Sequence, residues 1–163
     1  MKEASMPIIR RKDVAPVSDS HYPDPHNEIG RYRAWPLSDA GGLTQFGAFI
    51  ETLEPGAWSS QRHWHETEDE FIFVLEGQLT LVDDNGPQIM QPGDAATFKA
   101  GDANGHHLQN RTDRPVSYLV AGTRAKHDIC HYSDIDMRYH RDEQGRRYTT
   151  REGTLIKQLE GKG

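Results

Sequence analysis

His63 and His65 stand one residue apart, and Glu70 follows them at the head of an apolar run, Phe71 to Leu75. Imidazole and carboxylate together are the donors that hold first-row divalent metals. Two histidines in a His-x-His step point the same way when the backbone is extended. Beyond them Glu70, Ile72 and Val74 share one face of a strand, and Phe71, Phe73 and Leu75 share the other. Both faces are apolar past Glu70, so the strand is expected to be covered on both sides. A carboxylate at the end of such a strand is costly to bury unless a cation compensates it, and a metal shared with His63 and His65 would do so. The competing reading is an exposed loop, with His-x-His as a surface feature and Glu66 to Glu70 as a solvated acidic turn. A second cluster, His106-His107 with Asn110 four residues beyond His106, weighs for the metal.

The elements that must position these residues are short and apolar, with turns between them. They run 44–53, 69–75, 78–83, then Pro87 to Gln91, Ala95 to Lys99, His106 to Asn110 and Val116 to Gly122. Between them stand Glu54-Pro55-Gly56, Glu76-Gly77, Asp84-Asn85-Gly86, Pro92-Gly93-Asp94 and Ala100-Gly101-Asp102. Glu76-Gly77 reads as a two-residue hairpin loop, and Asn85-Gly86 is the strongest hairpin signal in the chain. Strands at roughly ten-residue spacing with almost no helical period predict an all-β sandwich or barrel. Residues 1–30, rich in Pro, Ser, Asp and His, predict an arm on the domain surface. Residues 31–125 form the barrel, and 126–163 a polar extension packing on it. That extension holds a hairpin signal at Gln144-Gly145 and a frayed last ten residues.

A chain of 163 residues suits one domain. Its net charge of −6 argues against a nucleic-acid surface. Cys130 is the only cysteine, so no intrachain disulfide forms, which fits a reducing cytoplasm. The N-terminus has no hydrophobic signal region, and no apolar run is long enough to cross a bilayer. A cytoplasmic protein with no membrane partner is expected. Acyl-transfer, nucleotide and redox-disulfide motifs are all missing from the sequence.

With both histidine clusters in view, the sequence resembles the cupins, small jelly-roll (RmlC-like) β-barrels with two metal-binding motifs. Gly56, His63, His65, Glu70 and Gly77 fill the first motif, with one extra residue between Gly56 and His63. Gly93, Gly101, His106 and Asn110 fill the second, with two departures. Lys99 replaces a proline, and four residues rather than two separate Gly101 from His106. The likeness covers about residues 44–123. It implies a double-stranded β-helix fold and metal ligands His63, His65, Glu70 and His106. It also implies one divalent transition metal per chain, with Zn, Fe, Mn and Ni all compatible. His107 is the rival for the fourth position. Strand parity favours His106, since it would turn Leu108 and Asn110 inward with it, although a bulge from Asp102 to Gly105 would reverse that.

The resemblance implies a small metal-dependent enzyme of the dioxygenase, isomerase or decarboxylase class, acting on a small oxygenated molecule. The alternatives are a non-catalytic binding or sensor cupin and, more weakly, a metal-storage or structural role. Cupins commonly dimerise, and the outer row Phe71, Phe73 and Leu75 needs a cover, so a homodimer is expected. Trp64 should point away from its histidine neighbours. Glu66, Glu68 and Asp69 should be solvated, with Glu68 as the reserve carboxylate. Arg62 and Gln61 are read as surface residues within reach of the barrel mouth. His21, His26, His127, His131 and His140 are read as ordinary, and Cys130 as structural.

Overall fold

The computed structural model describes residues 8–160. The first seven residues of the arm and the last three of the tail lie outside them. Thirteen strands make up nearly all of the regular structure among the described residues, beside a 3-10 turn at Arg11–Asp13 and one four-residue α-helix, α1, at Leu37–Ala40. The first sheet has the order β1-β2-β9-β4-β7. Its members are β1 (Tyr32–Trp35), β2 (Phe46–Leu53), β4 (Glu70–Glu76), β7 (Ala95–Phe98) and β9 (Val116–Thr123). A second, of order β6-β5-β8, comprises β5 (Leu79–Asp83), β6 (Gly86–Met90) and β8 (His107–Gln109). The third joins β3 (His63–His65) to β10 (Asp128–Tyr132), β11 (Arg138–Asp142), β12 (Gly145–Thr149) and β13 (Leu155–Leu159). The chain is all-β, as the strand spacing predicts, and has the jelly-roll form that the cupin resemblance implies.

Alternation fills the space between the first two sheets. Leu53, Ile72, Val74, Leu79, Leu108, Val116 and Tyr118 all point inward and are buried. Fully burying such side chains contributes roughly 1.5–3 kcal/mol each. Asn110, also buried, ties the barrel shut. Its Nδ2 donates to the carbonyls of Leu53 and Arg114, and its Oδ1 accepts from the Thr112 amide.

Two turn expectations part company. Asp84-Asn85 closes the β5–β6 hairpin, with Asp83 opposite Gly86, and Glu143-Gln144 closes β11–β12 in the same way. In both, the glycine after the loop takes the positive φ. Glu76-Gly77 makes no hairpin, because β4 pairs with β7 and β9 while β5 pairs with β6 and β8. The turn is a corner that carries the chain from one sheet to the next. Gly77 has φ 80°, and a Cβ there would lie 2.7 Å from the Val116 side chain. The residue is glycine for both backbone and packing reasons.

The polar ends are more ordered than composition suggests. β13 pairs with β12 along Leu155–Leu159, correcting the expectation of a frayed tail. β10 pairs with β3 and continues the barrel directly. Tyr132, Met137, Tyr148 and Cys130 form a second apolar core there, against which Tyr22 of the arm packs. The arm also bridges Val17 to Ala34, and the Gln61 amide donates to the Tyr22 hydroxyl at 3.2 Å. Among the described residues nothing covers the outer row of β4, where Phe71 and Leu75 are 38% and 44% exposed.

Candidate metal centre

The inner faces of β2, β9 and β4 are in register, and this aligns the site. Gly47 lies opposite Gly122, which lies opposite Glu70. One row deeper come Phe49, Val120 and Ile72, and then Glu51, Tyr118 and Val74. The two glycines beside Glu70 leave a gap at one end of the barrel. A cavity of about 330 Å³ opens there. Arg124, Arg141 and Thr123 stand at its mouth, His63, His65, Glu70 and His106 on its wall, and Glu51 and Tyr118 farther in.

His63 sits on β3 and bridges back to back with His106, each amide donating to the other's carbonyl at 3.0 and 2.9 Å. That pairing overcomes the lengthened loop before His106. His63, Glu70 and His106 place ligand atoms within 4.8 Å of one another, and His106 Nε2 lies 3.4 Å from Glu70 Oε2. The His65 ring is perpendicular to that of His63, with centroids 5.0 Å apart. His65 lies beside this tight trio and outside it; its own close neighbours are Glu68 and Asp128.

Hydrogen bonds set the ring orientations. His63 Nδ1 donates to the Gln61 carbonyl at 2.9 Å, which leaves Nε2 facing the cavity with its lone pair. His65 Nδ1 bonds the Asp128 carboxylate at 2.6 Å, and the Thr67 amide and hydroxyl hold that carboxylate. A carboxylate behind an imidazole is the arrangement that orients a metal-binding histidine and raises its basicity. Phe98 stacks on the His106 ring at 3.4 Å, fixing its plane. His107 turns the other way. Its Nδ1 donates to the Ser60 carbonyl at 2.9 Å, and its ring packs on Trp58. Parity thus separates the two neighbours as expected, although His107 is buried in a second environment rather than exposed.

Charge follows from these contacts. Burial raises the Glu70 pKa, but the His106 hydrogen bond and the three imidazoles overcome it and hold the carboxyl down at about 2. Burial and the neighbouring rings push His63 down to about 3, so it is neutral at physiological pH. For His65 burial acts downward, and the Asp128 bond with the Glu70, Asp128 and Glu68 charges outweighs it, raising the pKa. Neutral imidazole and ionised carboxylate are the forms that bind a cation; His63 and Glu70 already hold them, and a metal would displace the proton that the raised pKa of His65 favours. Three imidazoles and a carboxylate around one cavity are donor types that fit a divalent transition metal held by His63, His65, Glu70 and His106. Cys130 lies near His63 and His65, but burial pushes its thiol pKa well up, which leaves the protonated and poorly ligating form.

Of the three acids expected to be solvated, Glu66 and Asp69 are exposed and Glu68 is partly buried. Glu68 pairs with Arg141 and accepts from the Ala125 amide at 2.9 Å, while Glu66 bonds His131 at 2.7 Å. Trp64 stacks on His131 at 4.2 Å, pointing away from its neighbours as expected. Arg62 is a clip between loops, pairing with Asp84 and Asp134 and donating to the Gly105 carbonyl. Gln61 anchors the arm through the His26 carbonyl at 3.0 Å.

Sequence reasoning missed Asp128 and the pair Glu51–Tyr118. Glu51 is 6% exposed and accepts a hydrogen bond from the Tyr118 hydroxyl. Burial drives its pKa up, the Tyr118 bond opposes this, and the facing Glu70 carboxylate adds to the rise, giving about 7. The signal was an acid on the inward stride Gly47, Phe49, Glu51, Leu53, where every other member is apolar or absent.

A jelly-roll barrel with a polar cavity at one end defines the class. The cupin domain model Cupin_2 matches residues 49–122. A sugar phosphate isomerase of the cupin superfamily from Silicibacter pomeroyi is 44% identical, with a TM-score of 0.88 over 94% of this chain and 100% of that one. A candidate sugar phosphate isomerase from Acidithiobacillus ferrooxidans is 27% identical, with a TM-score of 0.73 over 82% and 85%. A polyketide cyclase from Streptomyces resistomycificus is 25% identical, with a TM-score of 0.58 over 72% and 79%. No curated protein sequence matches the chain. The chain belongs to the cupin superfamily. Among the described residues no helix is long and apolar enough to cross a membrane.

Proposed function

We propose that the chain is a metal-dependent isomerase of a small phosphorylated sugar. The observation that carries this reading is the convergence of His63, Glu70 and His106 within 4.8 Å on a cavity of about 330 Å³, with His65 beside them. The named activity of the 44% identical relative selects isomerisation from among the chemistries such a centre supports. A divalent metal held there would polarise a carbonyl or hydroxyl oxygen of the substrate.

The chain's own residues do the rest. Phe49, Ile72, Leu108 and Val120 form apolar walls that limit water around the reacting carbons. Asp128 and the Gln61 carbonyl hold the rings of His65 and His63 in place before substrate arrives. Arg124 and Arg141 at the mouth bring positive charge to where an anionic group would enter, each already braced by an acid, Asp39 and Glu68. In the same reading, a second copy of the chain covers Phe71 and Leu75 on the outer face of β4.

Metal analysis of chelator-free protein, followed by a turnover screen on aldose and ketose phosphates, tests the proposal. The expected result is about one transition-metal ion per chain and interconversion of at least one aldose–ketose pair. Protein that is metal-free, or metal-loaded and inert on the whole panel, overturns it. Light scattering at the mass of one chain would refute the dimer.

A further inference from the structure

Glu51 is the one buried carboxylate of the cavity that the metal centre does not use. It lies on the inward face of β2, in register with Tyr118, whose hydroxyl donates to its Oε1. The register places Tyr118 four residues along β9 from Gly122, the residue opposite Glu70. At 3.2–3.4 Å per residue, that sets the pair about 13 Å along the strand from the Glu70 level. Arg124 marks the open end of the same cavity, and Tyr118, at 0% exposure, its closed end. The cavity thus has two polar ends, the imidazole–carboxylate cluster and the Glu51–Tyr118 pair. The apolar side chains of Phe49, Ile72, Leu108 and Val120 lie between them.

An acid in that position is expensive. No lysine or arginine pairs with Glu51 among the described residues, and one hydroxyl is a small return for desolvating a carboxyl group. A purely structural link between β2 and β9 would be served equally well by two apolar side chains, which leave nothing to satisfy. What a carboxyl group adds, held near its midpoint at neutral pH, is the capacity both to donate and to accept toward whatever fills the cavity. Ser59 and Ser60 line the cavity too and offer further hydroxyls.

We propose that Glu51, anchored by Tyr118 at the closed end of the cavity, determines substrate specificity by binding the far hydroxyls of an extended polyhydroxylated chain whose other end sits at the metal centre. This rests on the sugar-phosphate reading above and narrows it to open-chain substrates long enough to reach both polar ends. Shorter molecules would leave the carboxyl group facing an apolar tunnel, and a site built to hydrogen-bond a hydroxyl discriminates strongly against ligands lacking it.

Titration calorimetry of the protein as purified, against straight-chain alditol phosphates of three to six carbons, reads binding apart from turnover. Wild-type affinity is expected to climb with chain length. Glu51→Leu should weaken the five- and six-carbon members by about tenfold or more and leave the three-carbon member unchanged. Glu51→Gln, which keeps a donor and an acceptor, should stay within about threefold throughout. A Glu51→Leu protein that binds the whole series as the wild type does overturns the proposal and leaves the isomerase reading standing. A wild type that binds none of the series overturns that reading and this role with it. Should Glu51→Leu fail to fold, Tyr118→Phe leaves the carboxyl in place without its anchor. It is then expected to show a smaller loss confined to the longer ligands, and unchanged affinities overturn the proposal.

Discussion

Glu70 and Glu51 are the same residue on two strands that flank β9, both inside one barrel, yet their pKa values are driven in opposite directions. Glu70 faces three imidazoles and keeps its carboxyl at about 2. Glu51 faces a phenol and another acid and is pushed up to about 7. Burial acts upward on both. The difference lies wholly in the partners that the register supplies. One end of the barrel stabilises an ionised carboxylate, the other a protonated one.

The largest effect expected comes from breaking the first of these environments. His63→Ala removes one of the proposed ligands, a member of the trio that converges on Glu70. Metal content should fall to background, and turnover by about a thousandfold or more, the loss that follows when several kcal/mol of charge stabilisation disappear. Elemental analysis and single-turnover assays read the two quantities. Full metal content in this variant would mean that the trio around Glu70 is not the binding site.

The second effect sharpens the contrast through stability. Glu51 has a folded pKa of about 7 against 4.5 for the free side chain. Its folded form therefore holds the proton more tightly than the unfolded chain. The stabilisation is complete below pH 4.5 and is lost as pH rises through 7. Glu51→Gln is uncharged throughout and loses nothing. At pH 8 the variant should be more stable than the wild type by about 3 kcal/mol, a gap that closes as pH falls to 4.5. Glu70 has the opposite sign, since its depressed pKa gives stability present above pH 4.5 and lost as pH falls toward 2. Urea melts of wild type and Glu51→Gln from pH 4 to pH 8 would show the crossing, and parallel curves would refute the buried-acid account.

How much of this was legible in the sequence differs between the two ends. His63, His65, Glu70 and His106 announce themselves because ligating side chains cluster at short spacing, and strand parity separates His106 from His107. The all-β class is legible because each turn carries a glycine or proline signal, while the jelly-roll form comes only with the cupin resemblance. Glu51 gives a weaker signal, one acid on an otherwise apolar stride, and only β9 reveals its burial by placing Tyr118 opposite it. Asp128 lies 63 residues from the histidine it orients, and only the pairing of β10 with β3 brings them together. The corner at Glu76-Gly77 carried a hairpin's composition without a hairpin's partners, because turn chemistry fixes local φ and leaves strand pairing to tertiary contacts. β13 stands too near the end of the chain to be legible, since a terminal polar segment reads as frayed until its pairing with β12 is seen.

The smallest of the expected effects tests His65, the proposed ligand that lies outside the trio of His63, Glu70 and His106. His65 stands beside the tight trio, and what recommends it as a ligand is the group behind it. Asp128 is buried, bonds His65 Nδ1 at 2.6 Å, and is itself held by Thr67. A carboxylate invested there stabilises the ring with Nε2 turned to the cavity and makes that nitrogen a better donor. Asp128→Asn keeps the size of the side chain and removes the charge. If His65 binds the metal, affinity measured by competition with a chelator should fall about 10- to 100-fold, with the fold intact by circular dichroism. If affinity holds, the metal is a three-ligand ion of His63, Glu70 and His106. The His65–Asp128 pair then belongs with Glu68 and Arg141 as a charged rim that shapes the mouth, and the end of the barrel that holds a cation is smaller than its histidine count implies.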